Sequence, residues 1–570
     1  MDDRARRRDE TVDVSGPGTT GEARALSLGG TLALGVVAWA WWAPGLRGAV
    51  IANSAGVVAA VAFAAAAFLW PRRADTATHR QSLVAGAGAS LLCGILVWIF
   101  GHRQFGGFDH SALIDLGWRM ASGQRPGMDF ASTLPIGFVL GVRHAIQLFG
   151  VRWSAFVASQ AVFAVATCWW MFTLWRRQGE PTERAVLLAV AVQASANLVT
   201  SYWWYNSATT TLGVLFVLSA TVLWRFPASR FAGVSYGASL VLLAGMKPNV
   251  AGVLILGVSL ALVSSARHRR LVIAYSVAAF VLFTGWLALE HVWLPDVLRS
   301  YLSIAGRGFS LSQFLQDLTV GEKRVALLLL AASLAPWGAA LLHWRRWSRS
   351  HSLAVAAALA GAYGFLVNGE NKFVDLPLLL LALWWLDADA LPLDEPGATG
   401  TRFWRRYISA LAAVLAVGGA TVGVLRQRVR AIGPGMFFEY SLSPQHPATP
   451  FFARMEAGQR FIDVERQVGD VLLARPQARV FFGPRMQWAY AAFRRPSPAG
   501  QPVWWHRGVS YPDRDDAEAS AVSAWAASRP ELLIFLRGDF TYLPQRMLAI
   551  IREDFEPVNG NPELSVFVRR

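Results

Sequence analysis

The sequence has 570 residues, of which 54% are hydrophobic and only 16% are charged. A typical soluble domain carries about 25% charged residues, so this composition excludes an ordinary soluble protein. The net charge of +16 comes from basic residues scattered between apolar segments, which argues against the continuous basic patch of a nucleic-acid-binding protein.

Residues 1–25 are polar and rich in arginine, which predicts a disordered cytoplasmic N-terminus. Residues 26–426 then alternate between apolar runs and short basic loops. A helix needs roughly 17 to 25 apolar residues to cross a bilayer. Apolar runs approaching this length lie at 27–46, 49–70, 82–101, 133–150, 154–175, 184–203, 206–224, 231–246, 249–265, 271–289, 325–343, 352–368, 372–387 and 404–425.

The run 133–150 is unlike the others, because it is short and carries Arg143 and His144 in its middle. Basic residues flank membrane spans on the cytoplasmic side. With the N-terminus inside, the later basic loops all fall inside only if 133–150 does not cross. We therefore expect a polytopic α-helical protein of the plasma membrane with about 13 transmembrane helices, and we expect 133–150 to be a juxtamembrane helix.

Residues 430–570 have a different composition and, by the same count, lie outside the cell. Short apolar runs at 478–483, 531–536 and 564–570 predict strands. Helix-like stretches lie between them at 452–474, 515–528 and 543–554. Strands that alternate with helices predict a C-terminal extracytoplasmic α/β domain.

The external loop 102–132 is acidic and follows an apolar run directly. It contains "FGGFDHSALIDLGWRMASGQRPGMDF", with carboxylates at Asp109, Asp115 and Asp129. The spacing of apolar residues after Asp109 predicts a short amphipathic helix along the membrane, and Asp115 on this helix either supports the site or does no more than face water. Any one of these acids is compatible with a plain solvated loop, but a carboxylate at the membrane edge also suits a general base for a lipid-linked substrate.

This loop resembles the first external loop of the GT-C superfamily of membrane glycosyltransferases. The resemblance is to the group of protein O-mannosyltransferases and lipid A aminoarabinose transferases. The matching elements, in family order and spacing, are Asp109, a helix ending at Gly123, then Pro126, Asp129 and Phe130. Weaker similarity continues at 201–218, 244–257 and 369–385. His110 stands where the family has a second acid.

The resemblance implies that a sugar is moved, with inversion, from a polyprenyl-phosphate donor to an envelope glycan, lipid or protein acceptor on the outer face. Asp109 would be the catalytic base. The other candidates fall into three sets: support from Asp129, His110 and Asp115; donor phosphate binding by Lys247, Arg103 and Lys372; and substrate binding by Tyr205, Asn206 and Asn249. A lysine at membrane depth is a functional hypothesis, although Lys247 could equally snorkel to the interface.

No cofactor is indicated with certainty. The only cysteines, Cys93 and Cys168, lie in apolar runs, and we expect no metal site, although Asp109 with Asp129 could hold a divalent cation. The expected partners are the lipid-linked donor, the acceptor and membrane lipid. Two alternatives remain open: a transporter or flippase for lipid-linked glycans, and a non-catalytic envelope assembly protein. The scarcity of acids within the apolar runs argues against the transporter.

Overall fold

A computed structural model describes residues 58, 61–67, 77–102, 105, 108–130, 132, 134–197, 201–263, 266–298, 446–507, 511, 513–540, 543–558 and 560–570. The spans predicted at 27–46, 325–343, 352–368, 372–387 and 404–425 lie outside the described residues, as does most of 49–70. Arg103 and Lys372 also lie outside them.

The first part of the described chain is a bundle of helices. They are α1 (His79–Gly101), α2 (Phe108–Ala121), α3 (Ile136–Phe149), α4 (Trp153–Arg177), α5 (Thr182–Ala196), α6 (Tyr205–Arg225), α7 (Arg230–Met246), α8 (Pro248–Val263) and α9 (Ala266–Leu289). Helix α1 begins with a capping box, in which the Thr78 hydroxyl accepts from the Gln81 amide and the Gln81 side chain accepts from the Thr78 amide.

Among the described residues, four helices are long and apolar enough to cross a membrane: α1, α4, α6 and α9. Helices α5, α7 and α8 have only 15, 17 and 16 residues. At 1.5 Å per residue they reach about 22 to 26 Å, less than a hydrocarbon core of about 30 Å. A membrane protein is thus supported, but the prediction of about 13 spans is not confirmed.

The basic segments between helices meet at one end of the bundle, which we call the basic end. Arg176 donates through Nε to the Ser82 hydroxyl over 3.1 Å, and the Thr182 hydroxyl lies 3.0 Å from the same oxygen. The Arg225 guanidinium donates to the Gln178 carbonyl over 3.3 Å. The segments 176–184 and 225–230 therefore share one end of the bundle, as the charge distribution predicts.

The opposite end, the loop end, holds the segments 102–132 and 201–204. Trp153 at the start of α4 donates through Nε1 to the Gly101 carbonyl at the end of α1, over 3.1 Å. The Trp203 amide donates to the Phe156 carbonyl over 3.2 Å. These bonds join the ends of helices that are distant in the chain.

Helix α3 lies across the loop end. Its second residue, Gly137, touches the backbone of Gly245 near the end of α7. Further along, Arg143 pairs over 2.5 Å with Glu290, the residue that follows α9. Both halves of this 14-residue helix therefore lie at one end of the bundle, and the helix does not run the bundle's length.

A ladder of amide side chains lies inside the bundle between α4 and α5. Gln160 donates to Asn197 over 2.7 Å, Asn197 donates to Gln193 over 2.6 Å, and Gln193 donates to the Thr167 hydroxyl over 3.0 Å. All four residues are buried. Such bonds join helices when few other polar partners exist in an apolar bundle.

Residues 446–570, which we call the C-terminal unit, form a small α/β structure. Its elements are a 3₁₀ turn (Pro450–Phe452), α10 (Gln459–Ala474), β1 (Val480–Phe482), α11 (Trp488–Ala492), α12 (Asp515–Ala527), β2 (Leu532–Leu536), α13 (Gln545–Asp554), β3 (Phe555–Val558) and β4 (Leu564–Arg569). The sheet order is β1-β2-β4-β3, with β1 and β2 parallel and the other two pairs antiparallel.

The three predicted strands are confirmed as β1, β2 and β4, and the three predicted helices as α10, α12 and α13. The sequence did not indicate β3 or α11. Strand β3 has the sequence FEPV and pairs only with β4, so it is an edge strand, where a proline such as Pro557 is tolerated. Proline lowers the strand signal, which explains why this strand was not predicted.

The C-terminal unit packs on the loop end of the bundle through aromatic side chains. The Phe105 ring lies 4.9 Å from Phe452, 5.2 Å from Phe461 and 6.2 Å from Trp488, measured between ring centroids. It also lies 5.2 Å from Trp153 of the bundle. One continuous apolar core therefore joins the C-terminal unit to the bundle.

Candidate functional site

The predicted helix in the acidic loop is present as α2, and Asp109 is its second residue. The next residue, His110, is 3% exposed and sits among aromatic rings of the bundle. Its ring centroid lies 4.2 Å from Tyr202, 5.8 Å from Trp153 and 5.9 Å from Trp204. The first turn of α2 is therefore held against the segment 201–204.

Lys247 stands at the turn between α7 and α8. Pro248 follows it, and a residue before proline is disfavoured in the helical region. Lys247 accordingly leaves the helix, with φ −157° and ψ 87°, while Pro248 starts α8. Proline is well suited to the first position of a helix, because it lacks an amide hydrogen that would have no partner there.

The Lys247 ammonium lies beside two further residues predicted from the sequence. It donates to Asn206 Oδ1 over 2.8 Å and lies 5.5 Å from the centroid of the Tyr205 ring. Asn206 is 3% exposed, whereas Lys247 is half-buried. A charge-assisted hydrogen bond and a cation–π contact thus hold the lysine in one place.

The ring of Trp204 connects His110 at the start of α2 with Tyr205 beside Lys247. Trp204 is 5.9 Å from His110 on one side and 4.8 Å from Tyr205 on the other, between centroids. The structure therefore brings His110, Tyr205, Asn206 and Lys247 to one region of the loop end. The chain matches no family model, no curated protein and no solved structure.

The backbone of Asn249 also lies in this region, because it is the second residue of α8 and follows Lys247 by two positions. The backbone of Asp109 lies one residue before His110. The loop end thus holds the main-chain positions of the predicted base, of Lys247 among the three predicted phosphate-binding residues, and of the three predicted substrate-binding residues.

Asp115 does not face water, so that one of the two roles considered for it is wrong. It is 0% exposed, because the C-terminal unit covers this side of α2. Its Oδ2 accepts from Arg119 Nε over 2.8 Å, and its Oδ1 accepts from the Ser497 hydroxyl over 2.5 Å. Burial raises the pKa of Asp115, while the charge of Arg119 and the bond from Ser497 act in the opposite direction.

Asp129 is separate from this buried pair and is partly exposed. Its Oδ2 accepts from the Arg125 amide over 2.7 Å and lies 3.7 Å from the Arg125 guanidinium. Its carbonyl oxygen accepts from the Gly500 amide over 2.6 Å, which ties the loop to the C-terminal unit. These contacts fix the shape of the turn 125–130.

The described residues do not form a divalent metal site. No three His, Cys, Asp or Glu side chains among them come together. Asp129, one of the two acids suggested as ligands, directs its Oδ2 to Arg125. A divalent cation needs several oxygen ligands, so we derive no step through a metal.

Sequence reasoning missed the contacts of α2 with the C-terminal unit. Arg119 follows Asp115 by four positions, a spacing at which helical side chains pair, so the ion pair between these two residues was predictable from the sequence. Ser497 lies 382 positions from Asp115, and no local pattern links them. Burial raises the pKa of the Tyr490 phenol in the C-terminal unit, and the negative charge of Asp115 acts in the same direction.

Proposed function

We propose that the protein is a membrane glycosyltransferase that moves a sugar from a polyprenyl-phosphate donor to an acceptor of the cell envelope. The observation that carries this proposal is the position of Lys247. An ammonium held by Asn206 over the Tyr205 ring is a suitable partner for a phosphate, and it lies at the same end of the bundle as the first turn of α2.

The chemistry of the transfer requires a base and a cation. The acceptor hydroxyl oxygen attacks the anomeric carbon while the bond from that carbon to the phosphate oxygen breaks. The proton of the hydroxyl passes to the Asp109 carboxylate, and polyprenyl phosphate leaves. Lys247 offsets the negative charge on the departing phosphate. This electrostatic stabilisation of the transition state is strongest in a site with little water.

Tyr205 gives the donor a surface, because its side chain is partly exposed whereas that of Trp204 is buried. It combines an apolar face with a polar group, a combination suited to the boundary between lipid and water. A polyprenyl chain could lie along the apolar helices while its phosphate reaches Lys247. Asn206 orients the lysine in this scheme, and Asn249 contributes to substrate binding.

The proposed orientation of the protein in the membrane follows from the different charges of the two ends of the bundle. Arg176, Arg225 and Arg230 lie at the basic end, which we assign to the cytoplasm. The loop end and the C-terminal unit then face the outside of the plasma membrane. An external site requires a lipid-linked donor, because nucleotide sugars are made in the cytoplasm.

Reconstitution of the purified protein in liposomes tests the proposal. Labelled polyprenyl-phosphate sugars are supplied with envelope glycans, lipids or proteins, and product formation is measured. We expect Asp109→Asn to lower the rate about 10²- to 10⁴-fold, the usual contribution of a general base. Lys247→Met should lower it about 10²-fold or more, and Lys247→Arg should retain part of the activity.

Asp516→Asn is the matched control, because this aspartate is exposed in the C-terminal unit and carries no proposed role. Its rate should equal that of the wild type. Full activity of Asp109→Asn would refute the assignment of the base. Translocation of the lipid-linked sugar without any transfer would favour the flippase instead.

A further inference from the structure

We infer that the C-terminal unit is a positioning element of the proposed site, because its segment 495–500 fixes the orientation of α2 through a buried set of polar contacts. We call Asp115, Arg119, Gln124 and Ser497 the clasp. This inference rests on the proposed function, in which the first turn of α2 carries the base.

The clasp joins two parts of the chain through side chains and main-chain carbonyl groups. The Asp115 carboxylate accepts from Arg119 over 2.8 Å and from the Ser497 hydroxyl over 2.5 Å. Arg119 donates through Nη1 to the Pro498 carbonyl over 2.7 Å. Gln124 donates through Nε2 to the Ser497 carbonyl over 2.6 Å. Asp115 and Arg119 thus pair with each other within α2, and each also bonds to the segment 495–500.

The burial of the clasp indicates that it defines the orientation of α2 relative to the C-terminal unit. Asp115, Arg119 and Ser497 are 0%, 2% and 4% exposed. A buried ion pair often stabilises a protein no more than apolar residues of the same size would. Its hydrogen bonds, however, are satisfied in only one arrangement, so a small rotation of α2 breaks several of them together.

The contacts of the clasp continue along one face of α2. Ser111 donates through its hydroxyl to the Arg485 carbonyl over 2.6 Å, and Trp118 donates through Nε1 to the Arg495 carbonyl over 2.8 Å. Residues 111, 115 and 118 share a helix face, since their spacing is one and two turns. The C-terminal unit therefore contacts a full face of α2.

The opposite side of α2 packs on α3 without free space. A methyl group added at Gly117 would lie 2.2 Å from Val142 Cγ1 and 3.0 Å from Ile146 Cδ1. Helix α2 is consequently wedged between α3 and the C-terminal unit. Loss of the contacts with the C-terminal unit leaves the packing on α3 and the ring contacts of His110 to define the rotation of α2.

Rotation of α2 would matter at its first turn. Successive residues are about 100° apart around a helix, so position 109 lies about 120° from Asp115. A rotation of about 20° moves a side-chain atom roughly 5 Å from the axis by nearly 2 Å. A misplacement of about 1 Å can cost on the order of 10²-fold in rate. Asp115, Arg119 and Ser497 are therefore positioning residues.

The test uses the full chain with Ser497→Ala and Asp115→Asn. Ser122→Ala is the matched control, because Ser122 is exposed just beyond α2. Hydrogen–deuterium exchange of the peptide 108–121 reports on the clasp independently of activity. We expect about tenfold faster exchange in both variants, unchanged exchange in the control, and recovery with Ser497→Thr, which keeps the hydroxyl.

Kinetics supply the second measurement. The same two variants should lower kcat at least about tenfold, with the KM for the donor unchanged, because the phosphate ligand Lys247 is on another element. Unchanged exchange in Ser497→Ala and Asp115→Asn would overturn the clasp. Faster exchange with wild-type kcat would overturn the positioning role. A wild type that transfers no sugar refutes the proposed function, and exchange then still decides whether the clasp holds α2.

Discussion

The contact between Gly137 and Gly245 gives the sharpest test of where α3 lies. A methyl group on Gly137 would lie 2.9 Å from the Gly245 carbonyl oxygen and 3.0 Å from both its carbonyl carbon and its Cα. Carbon atoms normally approach to about 3.5 to 4.0 Å. Gly137→Ala therefore has to separate α3 from α7 by roughly 0.5 to 1 Å, and backbone atoms cannot turn away as a side chain can.

The expected loss of stability follows from this overlap. Overpacking of this kind costs about 1 to 3 kcal/mol. Alanine is a better helix former than glycine by up to about 1 kcal/mol, but Gly137 is only the second residue of α3, so little of this gain applies. We expect a net destabilisation of about 1 to 2 kcal/mol.

Gly252→Ala is the control, because a methyl group at Gly252 in α8 would meet nothing within 4 Å. Thermal unfolding of both variants in detergent, followed by tryptophan fluorescence at one scan rate, ranks them even if unfolding is irreversible. The midpoint of Gly137→Ala should fall below that of the wild type, and that of Gly252→Ala should not. Equal midpoints for the two variants would show that α3 does not lie against α7.

Three further predictions address topology, pH and the amide ladder. A reporter fused after Glu180 should report the cytoplasm, and an external signal would reverse the assignment of the two ends. Burial lowers the pKa of His102 from its usual 6.5, so the unfolded chain takes up a proton first as the pH falls. Stability should therefore be full above about pH 6.5 and decline below it, and His102→Gln should remove this decline in thermal midpoint. Asn197→Leu should destabilise the protein by about 1 to 3 kcal/mol, because Gln160 and Gln193 lose a buried partner; a wild-type midpoint would show that the ladder adds nothing.

Local sequence patterns predicted the features that depend on neighbouring residues. The apolar runs at 531–536 and 564–570 are strands β2 and β4, because each is short and rich in residues that favour strands. The start of α2 near Asp109 was predicted from the spacing of apolar residues. The grouping of basic segments at one end also agrees with the structure, because alternate crossings bring such segments together.

Features that depend on distant residues were not predictable. Asp115 has the sequence pattern of an exposed acid, and only Ser497 and the cover of the C-terminal unit make it a buried one. The apolar run 184–203 predicts one span, but α5 ends at Ala196. Trp203 belongs to that run by composition, yet it packs at the loop end in the non-helical segment 201–204.

The clasp has a consequence for the order in which the protein can mature. The ribosome synthesises Asp115 and Arg119 early and Ser497 only 382 residues after Asp115. Until segment 495–500 is made and folded, the polar face of α2 has no cover and the full set of clasp contacts cannot form. In a chain that ends before that segment, Asp115 and Arg119 keep each other as partners but lose the Ser497 hydroxyl and the Pro498 carbonyl.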